Sequence, residues 1–333
     1  MFGLDIELVL FGLFGIVIII FLVVDLGLLH KTPKKITQRD ALNQTIFWVL
    51  VSVIYGVLIY HFYGGKQDAL EFYSAYLTEK ALSVDNIFVI LLILKYFNVK
   101  EEYYHGILFW GILGAIVFRA IFIFLGAILI GQFHWILYIF GAFLVYSGVK
   151  IFSDEEEMEV EPNKNPLVQF AKKFLPITTK DLGERFVVRL EGKIYFTTLF
   201  LVILLIESTD LIFAVDSIPA AFAITQNEFI IYTSNIFAVM GLRAMFFLLA
   251  NVLDKFYLLQ KGLSVVLIFI GAKMLLEMFC DFGLFCLHVP IMMSFGIIIF
   301  ALAASIIGSL LFPREPELVE DNLKTGKEPI GTD

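Results

Sequence analysis

Nine hydrophobic runs divide this chain, near residues 6–29, 41–63, 70–94, 104–129, 133–152, 195–223, 229–250, 259–280 and 288–312, and each is long enough to cross a bilayer as a helix. No soluble core absorbs that much apolar sequence. Of the 333 residues 59% are hydrophobic and only 17% charged, with a mean hydropathy of +0.88. The first run has no Lys or Arg before it and outlasts a signal-peptide core, so it reads as a retained membrane helix. The expected fold class is all-α, a polytopic transmembrane helical bundle of about nine spans.

The basic residues test this division. Placed on alternate sides of the membrane, the loops and tail put 19 Lys and Arg on one side, Lys31 to Arg39, Lys95, Lys100 and Lys150 to Lys193 among them, and Lys66 alone on the other. By the positive-inside rule the N-terminus is outside, while the 153–193 loop and the 313–333 tail are cytoplasmic. The lipid bilayer is the partner this implies. A net charge of −8 excludes nucleic acid, whose phosphates call for a basic surface. That charge sits in the acidic run from Asp154 to Glu161 and in the tail, so it says little about function. The oligomeric state is left open.

The chain also resembles itself. Ser83-Val-Asp85-Asn-Ile-Phe matches Ser208-Thr-Asp210-Leu-Ile-Phe at an offset of 125, Phe118-Arg119-Ala matches Leu242-Arg243-Ala at 124, and Gly148-Val-Lys150 matches Gly271-Ala-Lys273 at 123. Three matches in one order imply a repeat of three spans, and an odd number of spans turns the second copy upside down. Inverted repeats of this kind build secondary transporters, with the substrate site near the midplane where the repeats meet. The chain then divides into two N-terminal spans (1–65), a first three-helix repeat (66–152), a cytoplasmic loop (153–193), a second repeat (194–282), a last span (283–312) and a flexible tail (313–333).

Charges inside spans are costly and mark function. The basic ones are Lys80, Arg119, Arg243 and Lys273; the acids are Glu79, Asp85, Glu207, Asp210 and Asp216. Glu79, Ser83 and Asn86 share one helical face, as do Glu207 and Asp210, whereas Asp216 is about 120° away unless Pro219 kinks the helix and swings it inward. Carboxylates, an amide and hydroxyls make an all-oxygen set suited to Mn²⁺, Mg²⁺ or Ca²⁺. Arg119 and Arg243 are the expected ion-pair or gating partners, with Lys273 one turn from Glu277. The scattered His30, His61, His105, His134 and His288 read as interfacial.

These residues carry a family resemblance. Leu77-Thr-Glu79-Lys-Ala-Leu-Ser83-Val-Asp85-Asn86-Ile-Phe, Glu207-Ser-Thr-Asp210-Leu-Ile-Phe-Ala-Val-Asp216-Ser-Ile-Pro219-Ala, Thr233-Ser-Asn235-Ile-Phe-Ala, Gly241-Leu-Arg243-Ala and Asp25-Leu-Gly look like the TerC family of integral membrane proteins, including its Alx-type members. The resemblance runs from about 20 to 312. It implies membership of the LysE-like transporter superfamily, export of divalent cations, chiefly manganese, across the bacterial inner membrane, and a link to tellurite resistance. From the family pattern, Glu79, Asp85, Asn86, Glu207, Asp210, Asp216 and Asn235 are the candidate metal ligands or relay groups. Mn²⁺ is then a substrate, and no resident cofactor is expected.

Two further readings stay open at this stage: a membrane scaffold that docks stress-response partners through the 153–193 loop, and an amino-acid exporter of the same superfamily. No nucleophile–base pair, phosphate loop or dinucleotide fingerprint occurs, so no enzyme is expected. Within the loop, Phe186 to Tyr195 reads as a β-hairpin turning at Glu191-Gly192. Cys280 and Cys286 flank the last external loop, where an oxidising compartment permits a disulfide.

Overall fold

The computed structural model describes residues 6–29, 37–133, 135–153, 169, 173, 175–178, 183–190, 192–250, 258–281 and 289–312. Helices dominate it: α1 (Ile6–Leu29), α2 (Gln38–Phe62), α3 (Gly65–Tyr96), α4 (Tyr104–Gln132), α5 (Ile136–Ser153), α6 (Thr198–Ile224), α7 (Glu228–Met240), α8 (Leu242–Leu249), α9 (Leu259–Asp281) and α10 (Ile291–Leu311). Between α5 and α6 lie the strands β1 (Ile177–Thr178), β2 (Val187–Leu190) and β3 (Lys193–Thr197). The acidic run, the tail, Cys286, His30, His134 and His288 lie outside the described residues, as does the side chain of Cys280, so the disulfide does too.

The ends of the helices follow local chemistry. Thr37 caps α2 by accepting from the Asp40 amide, and Asn227 caps α7 by accepting from the Ile230 amide. The corner between α2 and α3 is closed by Gly65 at φ +73°, in the left-handed region that glycine enters without strain. A polar clasp ties neighbouring ends together. Thr225 donates to Glu71, Asn227 donates to the Tyr63 hydroxyl, and Tyr63 donates to Glu7.

Eight stretches among the described residues are helical, long and apolar enough to cross a membrane. The remaining expected run, 70–94, falls in α3, whose 32 residues extend about 48 Å at the α-helical rise. Glu79, Lys80 and Asp85 near its middle set α3 apart in composition. Its neighbours account for that tolerance, because α3 packs against α2, α6, α7 and α10 and meets protein where an outer helix meets lipid. The 229–250 run is not one helix but two, α7 and α8, meeting at Gly241. Residues of α7 are buried nearly all round, which places it inside the bundle.

The hairpin forms where expected. Leu190 pairs with Lys193 across a two-residue turn whose Gly192 has φ +82°. The structure adds β1, which pairs with β3 in parallel and makes a three-stranded sheet ordered β1-β3-β2.

Helices α5 and α9 make the closest seam in the bundle. A Cβ at Gly148 would stand 2.9 Å from the Ser264 carbonyl and one at Gly271 would stand 2.6 Å from the Gly141 carbonyl, so backbone lies on backbone. The residues correspond pairwise. Gly141 and Ser264, Val145 and Ile268, and Gly148 and Gly271 are each 123 residues apart, and exchanging members maps one contact onto the other. Over-packing this seam is expected to separate the helices: Gly271→Leu should destabilise the protein by about 1–3 kcal/mol. Thermal unfolding in detergent checks this, with Gly12→Leu as the control, because no atom lies within 4 Å of a Cβ at Gly12.

Candidate functional site

Helices α3 and α6 face each other, and Arg119 reaches between them from α4. Its side chain is 2% exposed. The guanidinium donates from Nη1 to Glu79 Oε1, from Nη2 to Asp210 Oδ1 at 3.1 Å and from Nε to Asp210 Oδ2 at 3.4 Å. Asn86 Nδ2 donates to Asp210 Oδ1 at 2.7 Å. Three donors from two other helices therefore converge on one carboxylate. The ionic interaction expected of Arg119 is present and is shared between two acids, which satisfies both without leaving a buried charge alone. Asp210 lies twelve residues into α6, about 18 Å along its axis, close to half the thickness of a hydrocarbon core of about 30 Å.

One turn earlier on α6 stands Glu207, in a different condition. Both its carboxylate oxygens are buried and neither has a hydrogen-bond partner among the described residues. The carboxylate lies against the backbone of α4, in space that a Cβ at Gly114 would occupy. Asn86 Oδ1 is also buried without a donor. Beside these groups is a cavity of about 20 Å³, lined by Asn86, Asp210, Gly111, Ile206, Val239 and Leu242, with room for a single water-sized species. A buried carboxylate without a donor is stable as the neutral acid or with a cation against it. The uncommitted acceptors here are all oxygens.

A model of the family described as "Integral membrane protein TerC family" matches residues 64–317, which include every charged residue of this site. The chain belongs to the TerC family. It is 43% identical over 298 residues to a protein of Escherichia coli K12 named "Putative membrane-bound redox modulator Alx", covering 87% of this chain and 90% of that one. The same name is carried by a Salmonella typhi protein, 42% identical over 297 residues, with 87% and 90% covered. A membrane protein of Rickettsia felis is 40% identical over 295 residues, with 89% and 96% covered. No solved structure matches.

The other expected residues of this TerC-family chain are placed differently. Asp216 accepts from Ser147 of α5 at 3.0 Å. Helix α6 continues through Pro219, and Asp216, six residues past Asp210, meets α5 rather than the Arg119 cluster. Asn235 is fully buried in α7, where its amide donates to the Ile231 carbonyl at 3.0 Å and its own oxygen has no donor. Arg243 is buried at the start of α8, and Lys273 is half-buried on α9. The side chain of Asp85 lies outside the described ones. Among the described residues no three His, Cys, Asp or Glu side chains gather closely enough to hold a metal ion.

Two residues shape this site through contacts that sequence spacing does not show. Gly114 makes room for Glu207, and nothing in its neighbours announces that. Lys80, next to Glu79 in sequence, donates to the Ala238 carbonyl at 2.9 Å. In an unbroken helix that carbonyl would serve the amide of Leu242, so the ammonium enters the ladder where α7 gives way to α8. A Cβ at Gly241 would lie 2.5 Å from Lys80 Nζ, so a larger residue there would displace the ammonium. Val239 and Leu242, flanking the break, are walls of the cavity. Lys80→Met is expected to let the ladder close. Amide hydrogen exchange over residues 239–243 should slow severalfold, and unchanged exchange would show that the break does not depend on Lys80.

Proposed function

We propose that this chain is a secondary transporter that exports a divalent cation, Mn²⁺ foremost, from the bacterial cytoplasm through the space between α3 and α6. The observation that carries the reading is the uncommitted Glu207 carboxylate one turn from Asp210, with the free Asn86 oxygen nearby, at mid-depth in a spanning helix. Oxygen donors of this kind favour a hard or borderline cation over Zn²⁺ or Cu²⁺, which prefer sulfur or imidazole. The sparseness of the ligand set suits transport, because a substrate that must leave is held weakly. Ion access would alternate around Asp85 and Asp210, and the two-fold correspondence of residues at the α5–α9 seam supports two inverted halves rocking against each other. The uneven Lys and Arg distribution supports an inner-membrane protein with its N-terminus outside and its tail cytoplasmic.

The names of the Alx relatives favour a second reading, a role in redox modulation, for which Cys280 and Cys286 are the chain's two cysteines. Replacing both by Ser separates the two readings: transport should be retained under the first, and a redox function should be lost under the second.

The test of the first is Mn²⁺ flux in proteoliposomes. Glu207→Gln is expected to lower flux at least tenfold, and Asp85→Asn with Asp210→Asn should abolish it, while Asp216→Asn should stay within about threefold of wild type. Equal flux in wild type and the Asp85/Asp210 double variant would overturn the site.

A further inference from the structure

We propose that the outward face of the β2–β3 hairpin is a docking surface for anionic phospholipid headgroups. Exposure alternates from Arg185 to Arg189: Arg185, Val187 and Arg189 are exposed, Phe186 is half-buried and Val188 is buried. The strand register pairs Val187 with Phe196 and Arg189 with Ile194, and paired residues share a face. One face therefore carries Arg185, Val187, Arg189, Ile194 and Phe196. The other carries Phe186, which packs on the core formed by α3, α4, α6 and α8, and Val188.

Three observations identify the occupant of the outward face. Val187 is 48% exposed and Ile194 59% exposed, and large aliphatic side chains on a small sheet call for an apolar neighbour. The strand β3 ends at Thr197, the N-cap of α6, with no linker between, so the sheet stands where that span enters the membrane. The apolar strip continues into the span, because the Phe196 ring meets Phe200 in the first turn of α6 at a centroid separation of 4.7 Å. Aliphatic side chains flanked by arginines on one face are the pattern of an interfacial anchor, with the stems in the acyl boundary and the guanidinium groups among the phosphates. Of the two acids that flank this face in sequence, Glu191 falls in the turn, and Glu184 is half-buried, with burial and Glu102 pushing its carboxyl up.

The consequence reaches the site. Helix α6 carries Glu207 and Asp210 at fixed distances from Thr197, so a sheet held at the headgroups sets the depth of both carboxylates. This surface stands apart from the identity of any transported ion.

The test uses the full chain in nanodiscs of phosphatidylcholine alone or with one quarter phosphatidylglycerol, each doped with the corresponding lipid bearing a headgroup-proximal photoactivatable group. Adducts are mapped by mass spectrometry. The proposal expects adducts on residues 185–197 at least tenfold more abundant from phosphatidylglycerol. Arg185→Gln and Arg189→Gln should each reduce that preference about fivefold, the weight of one basic residue at an anionic surface. Absence of adducts from this segment, with adducts on the spanning helices as the internal control, would overturn it. So would equal labelling by both lipids that the substitutions leave unchanged.

Discussion

A guanidinium buried in the middle of a membrane protein is stable only where anions come to it, and Arg119 organises this bundle on that condition. It draws Glu79 of α3 and Asp210 of α6 toward α4, so three helices are held at one depth by one side chain. The arrangement is selective because a guanidinium offers several donors in a fixed fork, which an ammonium does not. Replacing Arg119 strands two carboxylates away from water, a cost of about 3–5 kcal/mol for a broken buried pair. The position of Glu207 depends on this clamp. With Arg119 committed to its neighbours, the acid one turn away is left without a donor and occupies the gap over Gly114.

The seam between α5 and α9 meets a different need. Lipid tails are as apolar as the helices, so burial in a membrane gives little reason for helices to associate, and close backbone contact must supply it. Gly141, Gly148 and Gly271 allow that contact, and their neighbours across the seam correspond at the same sequence interval. The charged clamp and the glycine seam thus hold different layers of one bundle: α3, α4 and α6 by charge, α5 and α9 by shape.

Much of this was legible in the sequence because the physics involved is local. Hydrophobic length marks a span whatever it packs against, and a Glu-Gly pair between alternating strands marks a hairpin whose Gly192 takes a positive φ. The shared helical face of Glu79 and Asn86 follows from a spacing of seven, and both residues do meet the Arg119–Asp210 cluster. What escaped depends on partners far away in the chain. Lys80 sits beside Glu79 in sequence, yet its partner is a carbonyl 158 residues on, and the helix break there is visible only with both in view. Gly114 matters because of a carboxylate on another helix. The six-residue spacing left the place of Asp216 dependent on the shape of α6 at Pro219, and its partner, Ser147, is on another helix.

The unequal treatment of neighbouring acids bears on how a cation would pass. On the proposed reading, the ion and Arg119 compete for the same oxygens. Asp210 already receives three hydrogen bonds and Glu207 none, so an entering cation meets Glu207 first, and Asp210 joins only if the guanidinium lets go. The second acid makes that release affordable. Because Nη1 is bonded to Glu79, an Arg119 withdrawn from Asp210 keeps an anionic partner and is never left alone in the hydrocarbon layer. A one-acid pair would have to break outright to admit the ion, whereas a guanidinium held between two acids can shift its weight from one to the other. On that reading, alternating access requires two arrangements of the clamp close in energy, and a guanidinium shared between two acids can pass from one to the other without losing an anionic partner.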